Sequence, residues 1–178
     1  MRVVGYIREA SADGEPAFAQ SEQIRRWVNE NGHRLIALCQ DVRTPGHAVG
    51  RDGLQSIVGI ISAGHVDAVV VPSLTTFSPD KVSQEVVMDG LRQYGIAVLS
   101  ADKADIPNLA DPPSDNARLV IRDVLAKAAR FDKILGVPAV PEEDPAVMRI
   151  DDAPDVVIEL IPSNRSEALP TGQVRPAP

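Results

Sequence analysis

Aromatic residues are scarce in this chain of 178 residues, at 3% of the sequence. Apolar residues still make up 44%, so a core can form, but Val, Ile, Leu and Ala must build it. Long hydrophobic runs are missing too, since no stretch approaches the roughly 20 apolar residues that a membrane-spanning helix needs. The N-terminus enters a strand-like run with no signal-peptide pattern ahead of it. A soluble cytoplasmic protein without membrane contact is therefore expected.

Cysteine and net positive charge are also lacking. The single cysteine, Cys39, excludes an internal disulfide and suits a reducing compartment. The formal net charge is −7, whereas duplex binding depends on Lys and Arg neutralising phosphates. The composition therefore predicts that DNA binding is weak or absent.

Proline and acidic residues are concentrated at one end. Residues 136–178 hold 8 of the 15 prolines and carry a net charge of −5. This pattern predicts a domain over residues 1–135 and a mostly disordered acidic tail over 136–178. Within the tail, "DVVIELI" (155–161) is rich in β-branched residues and is a possible strand for a sheet edge.

Apolar runs alternate with helical patterns through the first 135 residues. Ser78 and Pro79 are predicted as the cap and first position of the third helix. Near-continuous apolar strands between helices predict an α/β fold of three αβα layers with a mainly parallel sheet. The expected strands are 2–7, 34–40, 66–71 and 95–101, and the expected helices are 17–31, 53–64, 79–94 and a long last helix over about 114–135.

Cofactor and metal signals are weak. The glycines of "GHAVGRDG" do not have the spacing of a phosphate loop, and the three histidines lie in separate turns without ligand-spaced partners. Cys39 and Trp27 are best explained as core residues, and Phe18 is counted with the apolar residues of the first helix. No cofactor and no metal are expected.

Four blocks of the sequence resemble the catalytic domain of the serine recombinases, the resolvase and invertase group. They are "VVGYIRE", "AQSEQIRRWVNENGH", "GRDGLQSIVGIISAGHVDAVVV" and "ARLVIRDVLAKAARFDKIL". The resemblance implies that a serine hydroxyl attacks a DNA phosphodiester. It also implies that arginines, ordered by an aspartate, hold the phosphate and stabilise the developing charge.

The family's site residues carry over only in part. Tyr6, Arg8, Gln20 and Arg51 match, and Arg118 falls where the family often has an arginine. The serine position holds Ala10, with Ser11 one step further on, where an extended strand would point its side chain to the opposite face. In place of the family's Leu-Asp-Arg-Leu-x-Arg, the chain reads "LTTFSP", so the aspartate and two arginines are replaced by Thr75, Thr76 and Pro79.

The last helix carries an apolar seam with a period of 3.5 residues, which is typical of helix association. In the family this helix forms the dimer, although part of such a stripe must also face the core. The seam comprises Ala117, Ile121, Val124, Ala128, Phe131 and Leu135.

The expected function is that of a degenerate serine recombinase without a helix-turn-helix domain, since residues 136–178 offer no helical pair. Such a protein would act as a non-catalytic interaction or regulatory protein, as a homodimer or with a recombinase-like partner. The alternative is an active or accessory DNA recombinase that uses Ser11. An unrelated enzyme on the same sheet has no set of residues in its favour.

Overall fold

The computed structural model describes residues 1–9, 15–42, 51–64, 66–135 and 156–160. The strands are β1 (Arg2–Glu9), β2 (Arg34–Val42), β3 (Ala68–Val71), β4 (Ala97–Ser100) and β5 (Val156–Leu160). The helices are α1 (Ala17–Glu30), α2 (Asp52–Ser62), α3 (Lys81–Gln93), α4 (Ile106–Leu109) and α5 (Asn116–Leu135). No helix within these ranges is both long and apolar enough to cross a membrane.

The five strands form one sheet in the order β4–β3–β1–β2–β5. The first four are parallel, and β5 pairs antiparallel with β2. Apolar residues of α1 pack on one face of this sheet, and those of α2 and α3 pack on the other. The predicted three-layer αβα fold with a mainly parallel sheet is confirmed.

Strand β1 lies at the centre of the sheet and is buried on both faces. Val3 and Ile7 belong to the apolar cluster beneath α1, whereas Val4 and Tyr6 belong to the cluster beneath α2 and α3. All four side chains are at most 1% exposed. This two-sided burial explains why the strand is a continuous apolar run rather than an alternating one.

Helix α3 begins two residues later than predicted. Its N-cap is Asp80, whose carboxylate accepts hydrogen bonds from the backbone N–H of Val82 at 2.9 Å and of Ser83 at 3.2 Å. The expectation that Ser78 caps this helix was wrong, because a carboxylate nearer the first turn can serve two N–H groups. The Ser78 hydroxyl instead accepts from the Asp80 N–H at 3.2 Å.

The apolar face of α1 is narrower than predicted. Ile24 and Val28 are buried against the sheet, and Trp27 packs at the margin of the same cluster. Phe18, which was counted with them, is 76% exposed. The helix therefore leaves one large aromatic side chain on the surface near its N-terminus.

The connection between β4 and α5 contains structure that was not predicted. A 3-10 turn over Lys103–Asp105 leads directly into α4. The Asp105 carboxylate accepts hydrogen bonds from the Leu74 N–H at 2.8 Å and the Ser100 hydroxyl at 2.7 Å. This side chain thereby links the turn that follows β3 to the end of β4.

A buried carboxylate fastens α5 to α3. Glu85 is fully buried and lies 2.9 Å from Arg118 Nη1, 2.8 Å from Arg122 Nε and 3.6 Å from Arg92 Nη1. Arg118 also donates to the side-chain oxygen of Gln84. One acidic side chain therefore serves several guanidinium groups in a site from which water is largely excluded.

We expect Glu85→Ala to lower the free energy of unfolding by roughly 3–5 kcal/mol, because it leaves buried guanidinium groups without their carboxylate. Urea denaturation followed by circular dichroism measures this change. The control is Glu22→Ala on α1, where the glutamate is exposed. Equal losses of stability in the two variants would contradict the assignment of Glu85 as the main fastening between α3 and α5.

Candidate functional site

The carboxyl ends of β1 and β3 lie side by side where the direction of the chain across the sheet reverses. From β1 the chain passes through α1 to β2 on one side, and from β3 it passes through α3 to β4 on the other. Open α/β sheets bind ligands in the crevice outside such a point. A functional site is therefore expected at these strand ends.

Arg8, near the end of β1, reaches across to the segment that follows β3. Its Nε donates to the Thr76 carbonyl at 2.7 Å, and its Nη2 donates to the Thr75 carbonyl at 3.0 Å. Nε and Nη2 form one edge of the guanidinium, the same pair of parallel donors that suits a phosphate or carboxylate. In this structure that edge is directed at backbone carbonyl oxygens.

Gln20 of α1 fixes the backbone of Arg8. Its side-chain oxygen accepts from the Arg8 N–H at 3.2 Å, and its amide nitrogen donates to the Arg8 carbonyl at 3.0 Å. The same nitrogen donates to the Glu15 carbonyl at 2.8 Å. Gln20 is buried, and its role here is to hold Arg8 and the start of α1 in place.

Arg51 converges on the same segment from the N-terminus of α2. It occupies the N-cap position of that helix, is 7% exposed, and donates from Nη1 to the Phe77 carbonyl. Together, Arg8 and Arg51 contact three successive carbonyl groups, those of residues 75–77. Two of the sequence-predicted site residues are thus brought together by the fold.

Asp41 is a site residue that sequence reasoning missed. It ends up 1% exposed near the end of β2, where it accepts from the Tyr6 hydroxyl at 2.7 Å and from the Gly53 N–H at 2.6 Å. A Cβ atom at position 53 would lie 2.7 Å from the carboxylate, so only glycine allows this approach. Asp41 therefore links β1, β2 and the first turn of α2.

Burial changes the pKa values of Tyr6 and Arg8. It raises the pKa of Tyr6 well above its ordinary value, and the neighbouring Asp41 carboxylate acts in the same direction. Burial also lowers the pKa of Arg8, and the nearby Arg51 charge adds to that effect. Tyr6 accordingly stays protonated and serves as a hydrogen-bond donor rather than a base.

Thr75 and Thr76 join this cluster through their carbonyl groups and not through their hydroxyls, and other predicted site residues lie apart from it or outside the described residues. Thr75 is exposed, and its hydroxyl lies 2.6 Å from that of Ser73, whereas Thr76 is buried. Pro79 is exposed just before α3. Ala10 and the candidate nucleophile Ser11 lie outside the described residues, so the use of Ser11 stays a prediction.

Arg118 does not join the cluster, because Glu85 and Gln84 hold it between α3 and α5. Along the seam of α5, Ala117, Val124 and Ala128 are exposed and Ile121 is half-buried. The side chains of Phe131 and Leu135 lie outside the described residues. Among the side chains that the structure does describe, His, Cys, Asp and Glu nowhere gather in a group of three that could hold a metal ion.

The arrangement of these elements matches a known family. The model of the family described as resolvase, N-terminal domain, matches residues 3–135. The chain belongs to the resolvase family. The match covers β2, β3, β4 and all of β1 but its first residue, together with helices α1 to α5.

Solved structures of serine recombinases share this resolvase fold. The N-terminal catalytic domain of TP901-1 integrase has a TM-score of 0.56 at 18% identity, over 76% of this chain and 98% of that one. A resolvase family site-specific recombinase from Streptococcus pneumoniae has a TM-score of 0.52 at 16% identity, over 77% of this chain and 93% of that one. The C-terminal catalytic domain of ISC1926 TnpA, an IS607-like serine recombinase, has a TM-score of 0.51 at 18% identity, over 79% of this chain and 90% of that one. No curated protein sequence matches the chain.

Cys39 lies in β2 of this resolvase-family sheet, two residues before Asp41. Burial raises the pKa of its thiol to about 12, and the Asp41 charge adds to the shift. An unfolded thiol ionises near pH 8.5, so the unfolded state loses its proton first as the pH rises. The free energy of unfolding therefore decreases as the pH rises from about 8.5 to about 12.

We expect the free energy of unfolding to fall by on the order of 1 kcal/mol more in the wild type than in Cys39→Ala when the pH is raised from about 7.5 to 9.5. Urea denaturation at both pH values measures the difference. The thiol should also resist Ellman's reagent at about pH 8 until the protein is unfolded, because the thiolate is the reactive form. Rapid labelling of the native protein would contradict the burial of Cys39.

Proposed function

We propose that this chain is a resolvase-family protein that does not cleave DNA and that acts by association with another protein, as a homodimer or with a recombinase-like partner. The observation that carries the proposal is the direction of the two retained arginines. Arg8 and Arg51 donate to the carbonyl groups of residues 75–77, near the carboxyl ends of β1 and β3, where open α/β sheets bind their ligands. A guanidinium edge bonded to the backbone cannot make the same two bonds to a phosphate.

The replaced residues support the same proposal. Thr75, Thr76 and Pro79 stand where the family has an aspartate and two arginines, and Ala10 stands at the serine position. Loss of a single preorganised donor from a charge-stabilising site costs about 2.7–4 kcal/mol, or a factor of about 10²–10³ in rate. Two missing guanidinium groups and a displaced nucleophile would remove most of the acceleration, even if their effects do not add.

Charge argues against strong DNA binding. The chain has a net charge of −7, and contacts to phosphates depend on basic side chains. Two basic residues of α5, Arg118 and Arg122, are paired with Glu85 inside the fold and are not presented to a phosphate backbone. In our proposal, DNA contact is weak or absent.

We expect that the protein forms no covalent adduct with DNA. Incubation with supercoiled DNA, followed by denaturation in detergent and gel electrophoresis, should reveal no protein that remains bound. The physical reason is the absence of a serine and of a full set of phosphate donors at the family positions. An adduct that persists in detergent and disappears in Ser11→Ala would refute the proposal and favour an active recombinase that uses Ser11.

The exposed face of α5 supports the association part of the proposal. Val120 and Val124 are 62% and 57% exposed, and they lie four residues apart on one side of the helix. Ala117 and Ala128 are exposed on the same side, whereas Arg118 and Leu125 turn toward α3. A stripe of exposed apolar residues on a helix is typical of an interface. We propose that a second copy of α5 covers it.

We expect Ala128→Glu to dissociate the dimer, because the new carboxylate would be buried against the partner helix without a counter-charge. Ala126→Glu is the matched control, since Ala126 is also exposed but lies two residues away, roughly on the opposite side of the helix. Light scattering at micromolar concentration measures the mass of each variant, and circular dichroism checks the fold. A monomeric wild type, or equal dissociation by both variants, would contradict the proposed interface.

A further inference from the structure

The outer edge of β2 is covered by a strand from far along the chain. Residues 156–160 pair antiparallel with residues 37–41, so that Ile158 lies opposite Cys39 and Glu159 lies opposite Leu38. Among the described residues, β5 is the last strand on this side of the sheet. The peptide groups along the outer edge of β2 therefore find their partners in a segment outside the 3–135 match to the resolvase family.

An ion pair at the surface joins β5 to α1. The Glu159 carboxylate lies 2.5 Å from Arg25 Nη2, and the two side chains are 51% and 35% exposed. Ile158 is 40% exposed. Surface ion pairs contribute little to stability. Among the contacts of β5 that the structure describes, the five-residue ladder is therefore the main one, and an extended segment of similar chemistry could make the same bonds.

Space remains beside this ladder. A cavity of about 130 Å³ lies next to Glu159, between α1 and the α1-facing side of β1 and β2. Ile7 and Leu38 form its floor, and Phe18, which is 76% exposed, lies at its rim. A bound segment that placed an apolar side chain in this cavity would cover apolar surface of Ile7, Leu38 and Phe18.

We infer that the outer edge of β2 is a binding site for an extended apolar segment that carries one carboxylate, and that residues 156–160 of the same chain are its resident occupant. Arg25 of α1 is the residue that recognises the carboxylate. The backbone ladder supplies the affinity, and the ion pair supplies the preference for an acidic side chain at one position of the bound strand.

The test uses the full chain with its own strand disabled. In Val157→Pro with Ile158→Pro, β5 cannot form, because one of any two successive residues of an antiparallel strand must direct its N–H to the neighbour. The probe is a fluorescent peptide that copies residues 155–161, and fluorescence anisotropy measures its binding. We expect saturable binding to the proline variant and at least about tenfold weaker binding to the wild type, whose site is occupied.

The preference for a carboxylate is tested by two charge reversals, one at the glutamate of the peptide and one at Arg25 of the protein. In the proline background, the original peptide should bind about two- to fivefold more tightly than a copy with lysine in place of glutamate. Arg25→Glu should reverse that order. No binding to a proline variant that keeps the circular dichroism of the wild type would overturn the proposed site. A peptide preference that Arg25→Glu leaves unchanged would overturn the role of Arg25.

A single new cysteine tests whether the occupant belongs to the same chain. Opposed residues of an antiparallel pair have Cα atoms about 4.5–5.5 Å apart, which a disulfide can bridge. Ile158→Cys, refolded in a glutathione redox buffer, should therefore form a disulfide with Cys39 within one chain. On a non-reducing denaturing gel, a disulfide-linked dimer would overturn the assignment in favour of strand exchange between copies. Absence of any disulfide would refute the register of β5.

Discussion

The buried carboxylate of Asp41 is the interaction on which the candidate site depends. It receives the Tyr6 hydroxyl from β1 and the Gly53 N–H from α2, and so fixes the carboxyl ends of two strands relative to the start of a helix. Arg51, two residues before Gly53, is thereby placed where it can reach the Phe77 carbonyl. A charge that is 1% exposed persists only if its partners remain in place.

A second buried carboxylate, Glu85, lies in the N-terminal half of α3 and is paired in the same way. Glu85 is surrounded by guanidinium groups from α3 and α5, and Gln84 connects Arg118 to the carbonyl of Ser78 through its own amide. The segment that receives Arg8 and Arg51 thus leads directly into the helix that holds α5. The segment that carries the candidate site and the helix that carries the proposed association surface are therefore connected by hydrogen bonds of Gln84 and Arg118.

The apolar runs predicted the four parallel strands and the main helices, because burial on both faces leaves a plain signal in the sequence. The polar contacts were harder to predict. Asp41 and Glu85 were not identified, since a sequence does not reveal which charges are paired inside the fold. Arg8 and Arg51 were identified through the family pattern, but their carbonyl partners depend on the path of residues 75–77. The segment 155–161 was considered for a sheet edge, yet the choice of β2 follows from tertiary contacts alone.

The pairing of β5 with β2 also has a consequence for the order of folding. Asp41 and Val156 are partners in the sheet although 115 positions separate them in the chain. During synthesis from the N-terminus, β2 can join β1 long before its outer neighbour exists, so its edge stays open over that interval. Closure of such a distant pair is slow compared with local helix formation. The nascent chain therefore passes through a stage with an uncovered strand edge, which is open to pairing with the strand of another chain.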